Sequence, residues 1–320
     1  MIPAEATWVR FPRYIGDAVM QVPILRLLRQ VAPGPLVVWG PKLTVTMLEG
    51  QELAEALVPD SGRLSPMDMA RLLRKHRALR SVHFPKSLRP ALASWLARVP
   101  ERIGVSESLA GLFNTHSLPF WRGEGTALAR YHRVLALRWP DIPPLPFPDL
   151  KPATPVALPD RPYLCLMPGA STPAKSWPPE HFARLAERAA EAGFLPVIQG
   201  GPSERELGER VAGAVGVNAC GATLREAITW FHGAAGCIGN DSGLGHLAAA
   251  CGTPTLSLFG PMDFGMFQPF GPRVRALVRT DLPCIPCRKD HCPLPGHPCL
   301  RGLDPDRVWE AFLQLRSSAQ

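Results

Sequence analysis

Four loops in the sequence combine glycine with side chains that bind anions or take protons, and each lies between an apolar run and a helical pattern. The clearest is Gly239-Asn-Asp-Ser-Gly-Leu-Gly-His246, which leads into the small residues Leu-Ala-Ala-Ala-Cys-Gly252. A helix opening there presents free N–H groups and the positive end of its dipole, which together attract an anion. Gly243 and Gly245 leave room for a diphosphate against the backbone, and Asp241, Ser242 and His246 add side-chain contacts. In Pro168-Gly-Ala-Ser-Thr-Pro-Ala-Lys-Ser-Trp-Pro178, Gly169 permits a close approach, Ser171 and Thr172 offer hydroxyls, and Lys175 offers a point charge suited to phosphate oxygens. In Gln199-Gly-Gly-Pro-Ser-Glu204, Glu204 is placed to accept from two vicinal ribose hydroxyls, and Ser203 and Glu204 are equally ordinary first-turn helix residues. The fourth, Arg10-Phe-Pro-Arg-Tyr-Ile-Gly-Asp17, carries a lone carboxylate. At a helix start Asp17 serves either as an N-cap or as the base that takes a proton from an attacking hydroxyl.

Such loops need a strand before them and a helix after them, and the chain supplies both in alternation, the pattern of βαβ units around a parallel sheet. In the first half the predicted strands are Thr7–Phe11, Leu36–Trp39, Ser81–Phe84 and Arg102–Val105, with helices near 17–31, 67–77, 86–98 and 125–138. Pro23 must kink the first helix or sit in its early turns. Nine prolines between Pro140 and Pro162 favour an extended connector and place a domain boundary there, giving domains at 1–150 and 151–304. The second half restarts with strands at Tyr163–Met167, Leu195–Gln199, Gly236–Gly239 and Thr255–Phe259. Helices follow near 179–192, 203–214, 223–234 and 243–251, and a final one at 305–316, within a last segment 305–320. Three chemical loops therefore fall in the second half, where they supply the parts of a nucleotide-diphosphate pocket. The first half holds the lone carboxylate.

Charge divides the same way. Residues 1–150 hold 19 Lys+Arg and 12 Asp+Glu, against 16 and 15 in the remainder, so the first half meets something acidic: an anionic glycan, a membrane surface or nucleic acid. Arg outnumbers Lys 29 to 6, and its planar fork grips carboxylates and phosphates bidentately. No aromatic–basic motif supports nucleic acid, so none is expected as a partner. The N-terminus lacks a signal-peptide pattern and no apolar run is long enough to span a bilayer, which places the chain in the cytoplasm. Four cysteines stand singly in apolar runs, whereas Cys284-x2-Cys287-x4-Cys292-x6-Cys299 forms a cluster. In a cytosolic chain such a cluster fits a structural zinc site or a reduced, metal-free loop.

The combination of "IGDAVMQVPILRLLR", "PGASTPAKSWPPEHFARLA", "QGGPSERELGERV" and "NDSGLGHLAAACGTPTLSLFGPMD" resembles glycosyltransferase family 9, the lipopolysaccharide heptosyltransferases. The resemblance implies an α/β GT-B fold, two Rossmann-like domains facing a central cleft, with the acceptor on the first and ADP-heptose on the second. It implies heptose transfer to the lipopolysaccharide inner core with inversion and no cofactor needed for catalysis. By motif, Asp17 matches the catalytic base, Lys175 the lysine on the donor diphosphate, Glu204 the acidic residue near the ribose, and Asp241, Ser242, Gly243 and His246 the phosphate and sugar loop. The family's last helix crosses back to the first domain. From charge and position, Arg10, Arg13, Lys86, Arg89 and Arg122 are candidates for the anionic, lipid-linked glycan acceptor, and contact with the inner membrane would be peripheral. The alternatives are a GT-B nucleotide-sugar 2-epimerase, which would work with the donor alone, and a catalytically silent glycan-binding protein.

Overall fold

The computed structural model describes residues 2–84, 87–106, 109–119 and 125–318, which form two compact units, 1–146 and 147–320. In the first unit the strands are β1 Thr7–Arg10, β2 Leu36–Pro41, β3 Ala56–Asp60, β4 Arg80–His83, β5 Glu101–Val105 and β6 His116–Leu118. Between them run α1 Ile15–Val19, α2 Val22–Val31, α3 Lys42–Thr46, α4 Pro66–Lys75 and α5 Leu88–Leu96, with a short 3-10 turn at Ala110–Phe113 and α6 Ala127–Ala136 after the last strand. All pairings are parallel, in the order β3-β2-β1-β4-β5-β6. The expected helix near 17–31 is two pieces, and Pro23 stands in the first turn of α2, where its missing N–H costs nothing. Trp8 of β1 and Trp39 of β2 meet edge-on at 6.0 Å beneath Met69 and Leu73 of α4 and Ala93 of α5.

The second unit repeats the plan. Its strands are β7 Tyr163–Met167, β8 Leu195–Ile198, β9 Val217–Asn218, β10 Gly236–Asn240, β11 Thr255–Phe259 and β12 Val274–Val278. Its helices are α7 Pro179–Glu191, α8 Arg205–Ala212, α9 Leu224–Gly233, α10 Gly243–Ala250, α11 Phe264–Phe267, α12 Pro298–Arg301 and α13 Pro305–Ser317. The sheet order is β12-β11-β10-β7-β8-β9, again all parallel. Counting from its own first strand, each unit has the same arrangement, the doubly wound order with a switch point beside that strand. In the first unit the switch lies between β1 and β4, in the second between β7 and β10.

Packing places two of these segments in the second unit. The proline-rich connector joins the second unit earlier than 151, because Leu150 is fully buried there, its N–H donates to the Ala250 carbonyl at 2.8 Å, and Phe147 stacks near Phe270 at 5.1 Å. The helix at 305–316, expected to return to the first half, buries Val308, Trp309, Phe312 and Leu315 in the core of the second unit. Gly236 of β10 is its seat: a Cβ there would lie 2.4 Å from the Phe312 ring.

Candidate active site

In open parallel sheets ligands bind beyond the carboxyl ends of the strands flanking the switch. In the second unit those strands are β7 and β10, and the loops that leave them carry most of the predicted residues. The two loops are tied together by a buried side chain. Asn240, the last residue of β10, accepts from the Trp177 N–H at 3.0 Å and donates to the Pro168 carbonyl at 2.7 Å, so it holds both ends of the 168–177 loop. Trp177 Nε1 donates to the Leu303 carbonyl at 2.9 Å. Within the loop a 3-10 turn at Pro173–Lys175 aims Lys175 back at β10, where Nζ lies 2.8 Å from Asp241 Oδ2. The two side chains are 17% and 8% exposed.

Ser242 occupies the N-cap position of α10, and its hydroxyl makes no capping bond. The first-turn N–H groups of an eight-residue helix are therefore left for a ligand beside the Lys175 ammonium. His246, one turn along, is buried, and burial pushes its imidazole down to about 4, with Asp241 opposing that shift and Lys175 adding to it. It stays neutral at pH 7, and its buried Nδ1 finds no hydrogen-bond partner. Glu204 closes the third side. Its carboxylate accepts from the Gly201 N–H at 2.6 Å and lies where a side chain at Gly169 would stand, a Cβ there being 1.8 Å from Oε1. Gly169 thus makes room for the acid as well as for a ligand. Ser171 is exposed, and half-buried Thr172 keeps an Oγ1 with no protein partner. The structure therefore brings Lys175, Glu204, Asp241, Ser242, Gly243 and His246 to adjoining strand ends.

In the first unit Asp17 follows β1, the strand beside the switch. The helix opens at Ile15, so Asp17 is its third residue, half-buried, and the N-cap position is held by Tyr14. Arg13 and Arg89 are exposed on the loop after β1 and in the first turn of α5. Arg10, a candidate for the acceptor, is buried, ion-paired with Asp60, and its guanidinium lies 4.6 Å from the centre of the Trp39 ring, so it braces the sheet. Lys86 and Arg122 lie outside the described residues.

The model of the family described as Glycosyltransferase family 9 (heptosyltransferase) matches residues 67–297. The chain belongs to this family. Among relatives, lipopolysaccharide heptosyltransferase 2 of Salmonella typhimurium is 28% identical over 96% of this chain and 97% of its own length. Lipopolysaccharide heptosyltransferase 1 of Pseudomonas aeruginosa is 39% identical, over 42% of this chain and 38% of its own length. Of solved structures, E. coli ADP-heptose lipopolysaccharide heptosyltransferase II superposes with a TM-score of 0.81 at 23% identity, covering 98% of this chain and 99% of that one. E. coli heptosyltransferase WaaC, solved with ADP and with ADP-2-deoxy-2-fluoro heptose, superposes at 0.74 with 19% identity, covering 97% and 99%. These likenesses give the family 9 chain the α/β fold of GT-B enzymes, built from two Rossmann-like sheets. No helix of the described residues is long and apolar enough to cross a membrane.

In this family member the cysteine loop backs the 168–177 loop. The Ala174 N–H donates to the Asp290 carbonyl at 3.1 Å, and His297 Nε2 lies 3.0 Å from the Ala174 carbonyl. The expected zinc geometry is not formed: among the described residues no three His, Cys, Asp or Glu side chains gather as a metal set. The thiols stand at different depths, Cys284 exposed, Cys287 and Cys292 half-buried and Cys299 buried, where burial pushes its thiol up to about 11. A pocket of about 430 Å³ is lined by Ser171, Thr172, Ser176, Trp177, His297 and Arg301, among others. The sequence reading passed over Asn240 and Arg301, and took His297 only as part of the cysteine loop. Asn240 stood inside the glycine motif, but its bonding partners lie 63 and 72 residues away.

Proposed function

We propose that this family 9 enzyme transfers heptose from ADP-heptose to the inner core of lipopolysaccharide, with inversion at the anomeric carbon. The observation that carries the reading is the assembly of Lys175, Asp241, Ser242, His246 and Glu204 at adjoining strand ends of one sheet. It offers a cation, uncommitted N–H groups and an acid for ribose hydroxyls, which are the requirements of a nucleoside diphosphate. The adenine nucleotide and the heptose are supported by what the relatives are named for and by the ligands of the WaaC structures.

In this reading the acceptor hydroxyl attacks the anomeric carbon from the face opposite ADP. One C–O bond forms as the bond to the diphosphate breaks, Asp17 takes the hydroxyl proton, and ADP carries away the electron pair. Lys175 and the N–H groups that open α10 offset the charge growing on ADP, an effect of the oxyanion-hole type. The Lys175–Asp241 pair holds the ammonium in place before the donor arrives. His246, neutral because it is buried, adds no cation and is positioned as an uncharged hydrogen-bonding group. The acceptor belongs to the basic first unit, a lipid-linked anionic glycan.

The test is a screen of nucleotide sugars by thermal stabilisation. A ligand that binds only the folded state stabilises it by about 2.7 kcal/mol at one hundred times its Kd. ADP-heptose is expected to raise Tm well above UDP and GDP sugars, and equal shifts from all three would defeat the donor assignment.

A further inference from the structure

We propose that α5 and the neighbouring 3-10 turn of the first unit form a docking surface for a bilayer containing anionic lipids. The inference deepens the reading above and rests on its lipid-linked acceptor. Trp95, Leu109 and Leu112 are 50%, 60% and 76% exposed. They belong to elements that pack together, since Trp95 meets Phe113 edge-on at 5.6 Å. Along α5, Leu88, Leu92 and Trp95 recur at the spacing of one helical face, yet none of the three is buried. Leu88 and Leu92 are half-buried and Trp95 is exposed, so this face is left partly in solvent.

Charge identifies the occupant. The segments 88–100 and 109–119 contain no acidic residue. Arg89 and Arg98 are exposed on the first of them. Arg74 of the adjacent α4 is also exposed and donates to the Leu96 carbonyl at 2.7 Å. Of the two acids between these segments, Glu101 is taken up by Arg80 at 2.8 Å and Arg138 at 3.1 Å, and Glu107 lies outside the described residues. A tryptophan and leucines bordered by Arg74, Arg89 and Arg98 match the two halves of an interfacial site: apolar side chains for the acyl boundary and cations for anionic headgroups. The helix also stands in a useful place. α5 follows β4, which flanks the switch point, so its first turn lies toward the strand ends where Asp17 stands. A bilayer against this face carries a membrane-embedded acceptor to that end of the sheet.

The experiment is sedimentation of the full chain with vesicles of phosphatidylglycerol and phosphatidylethanolamine, and with vesicles of phosphatidylcholine alone. The wild type is expected to pellet with the anionic vesicles, less so as salt is raised. Leu112→Glu and Trp95→Ser should each weaken that binding by about tenfold. Arg98→Asn, which suits the left-handed backbone at this position (φ 57°), should weaken it by about fivefold on anionic vesicles and leave neutral ones unaffected. All three variants should keep full activity on an acceptor stripped of its acyl chains and lose activity on the same acceptor embedded in vesicles. Leu112 is exposed enough that its variant should fold even if Trp95→Ser does not. Unchanged vesicle binding in Leu112→Glu would overturn the proposal. So would loss of self-association without loss of vesicle binding, which would make the face an interface between copies. Failure of the wild type to use the stripped acceptor would instead count against the transferase reading.

Discussion

Lys175 and Asp241 form one sheltered pair on which both stability and, in the proposed reading, donor binding depend. With so little of either side chain in water, removing one partner strands the other charge, which typically costs about 3–5 kcal/mol for a fully buried pair and less here because the lysine is partly wetted. Lys175→Ala is therefore expected to lower the urea midpoint and to abolish stabilisation by ADP-heptose. Adding Asp241→Asn should restore the midpoint without restoring the ligand response. If the double variant regains both, Lys175 is structural only. Asn240→Ala removes the bridge across the 168–177 loop while leaving Lys175 in the sequence, so it should raise the donor KM more than it lowers kcat, with a stability loss of about 1–3 kcal/mol. Residues of this kind differ in how far the sequence reveals them. The strand-end positions of Lys175 and Glu204 were legible because glycine turns after apolar runs announce them. The burial of Arg10 was not, because the partner that turns it inward, Asp60, lies 50 residues away, and no local pattern reports such a pairing.

At the scale of elements, the central strands were all legible and the outer ones were not. The four strands absent from the sequence reading, β3, β6, β9 and β12, are the four sheet edges. A strand buried on both faces shows a continuous apolar run, as in YLCLM of β7. An edge strand needs no such run: β3 carries Pro59 and is half-exposed, and β9 is two residues long. The final helix was legible in position, but the core it packs on, that of the second unit, was not, because an apolar stripe tells that a face is buried and not against what. Phe312 now tests that packing. It is fully buried against Gly236, so Phe312→Ala should destabilise the second unit by about 3–5 kcal/mol in denaturant titrations. A loss below about 1 kcal/mol would mean that the helix does not hold the sheet as described.

Across the whole molecule, each unit contains one buried histidine held at about 4 against an ordinary 6.5, His83 in the first and His246 in the second, both through burial. Below 6.5 the unfolded chain binds protons that the folded chain refuses, so stability falls as pH drops from about 6.5 toward 4 and is fully present above that window. Melting curves should show Tm declining through this range, and His83→Asn should flatten the decline for the first unit. A Tm independent of pH between 7 and 5 would contradict the burial of both rings. The charge imbalance acts at the same scale. A basic first unit should lose acceptor affinity as salt rises, while donor binding to the nearly neutral second unit, which rests on a sheltered site, should change less.

The proposed mechanism has Asp17 take the acceptor proton and Lys175 hold the donor diphosphate. It is tested most directly by single-turnover transfer from ADP-heptose to a heptose-free lipopolysaccharide core, with donor Kd measured on the same proteins. The account predicts that Asp17→Ala slows transfer roughly 10²–10⁴-fold with donor Kd little changed, and that Lys175→Ala impairs both. Transfer at the wild-type rate by Asp17→Ala, or a collapse of its donor affinity, would contradict the account.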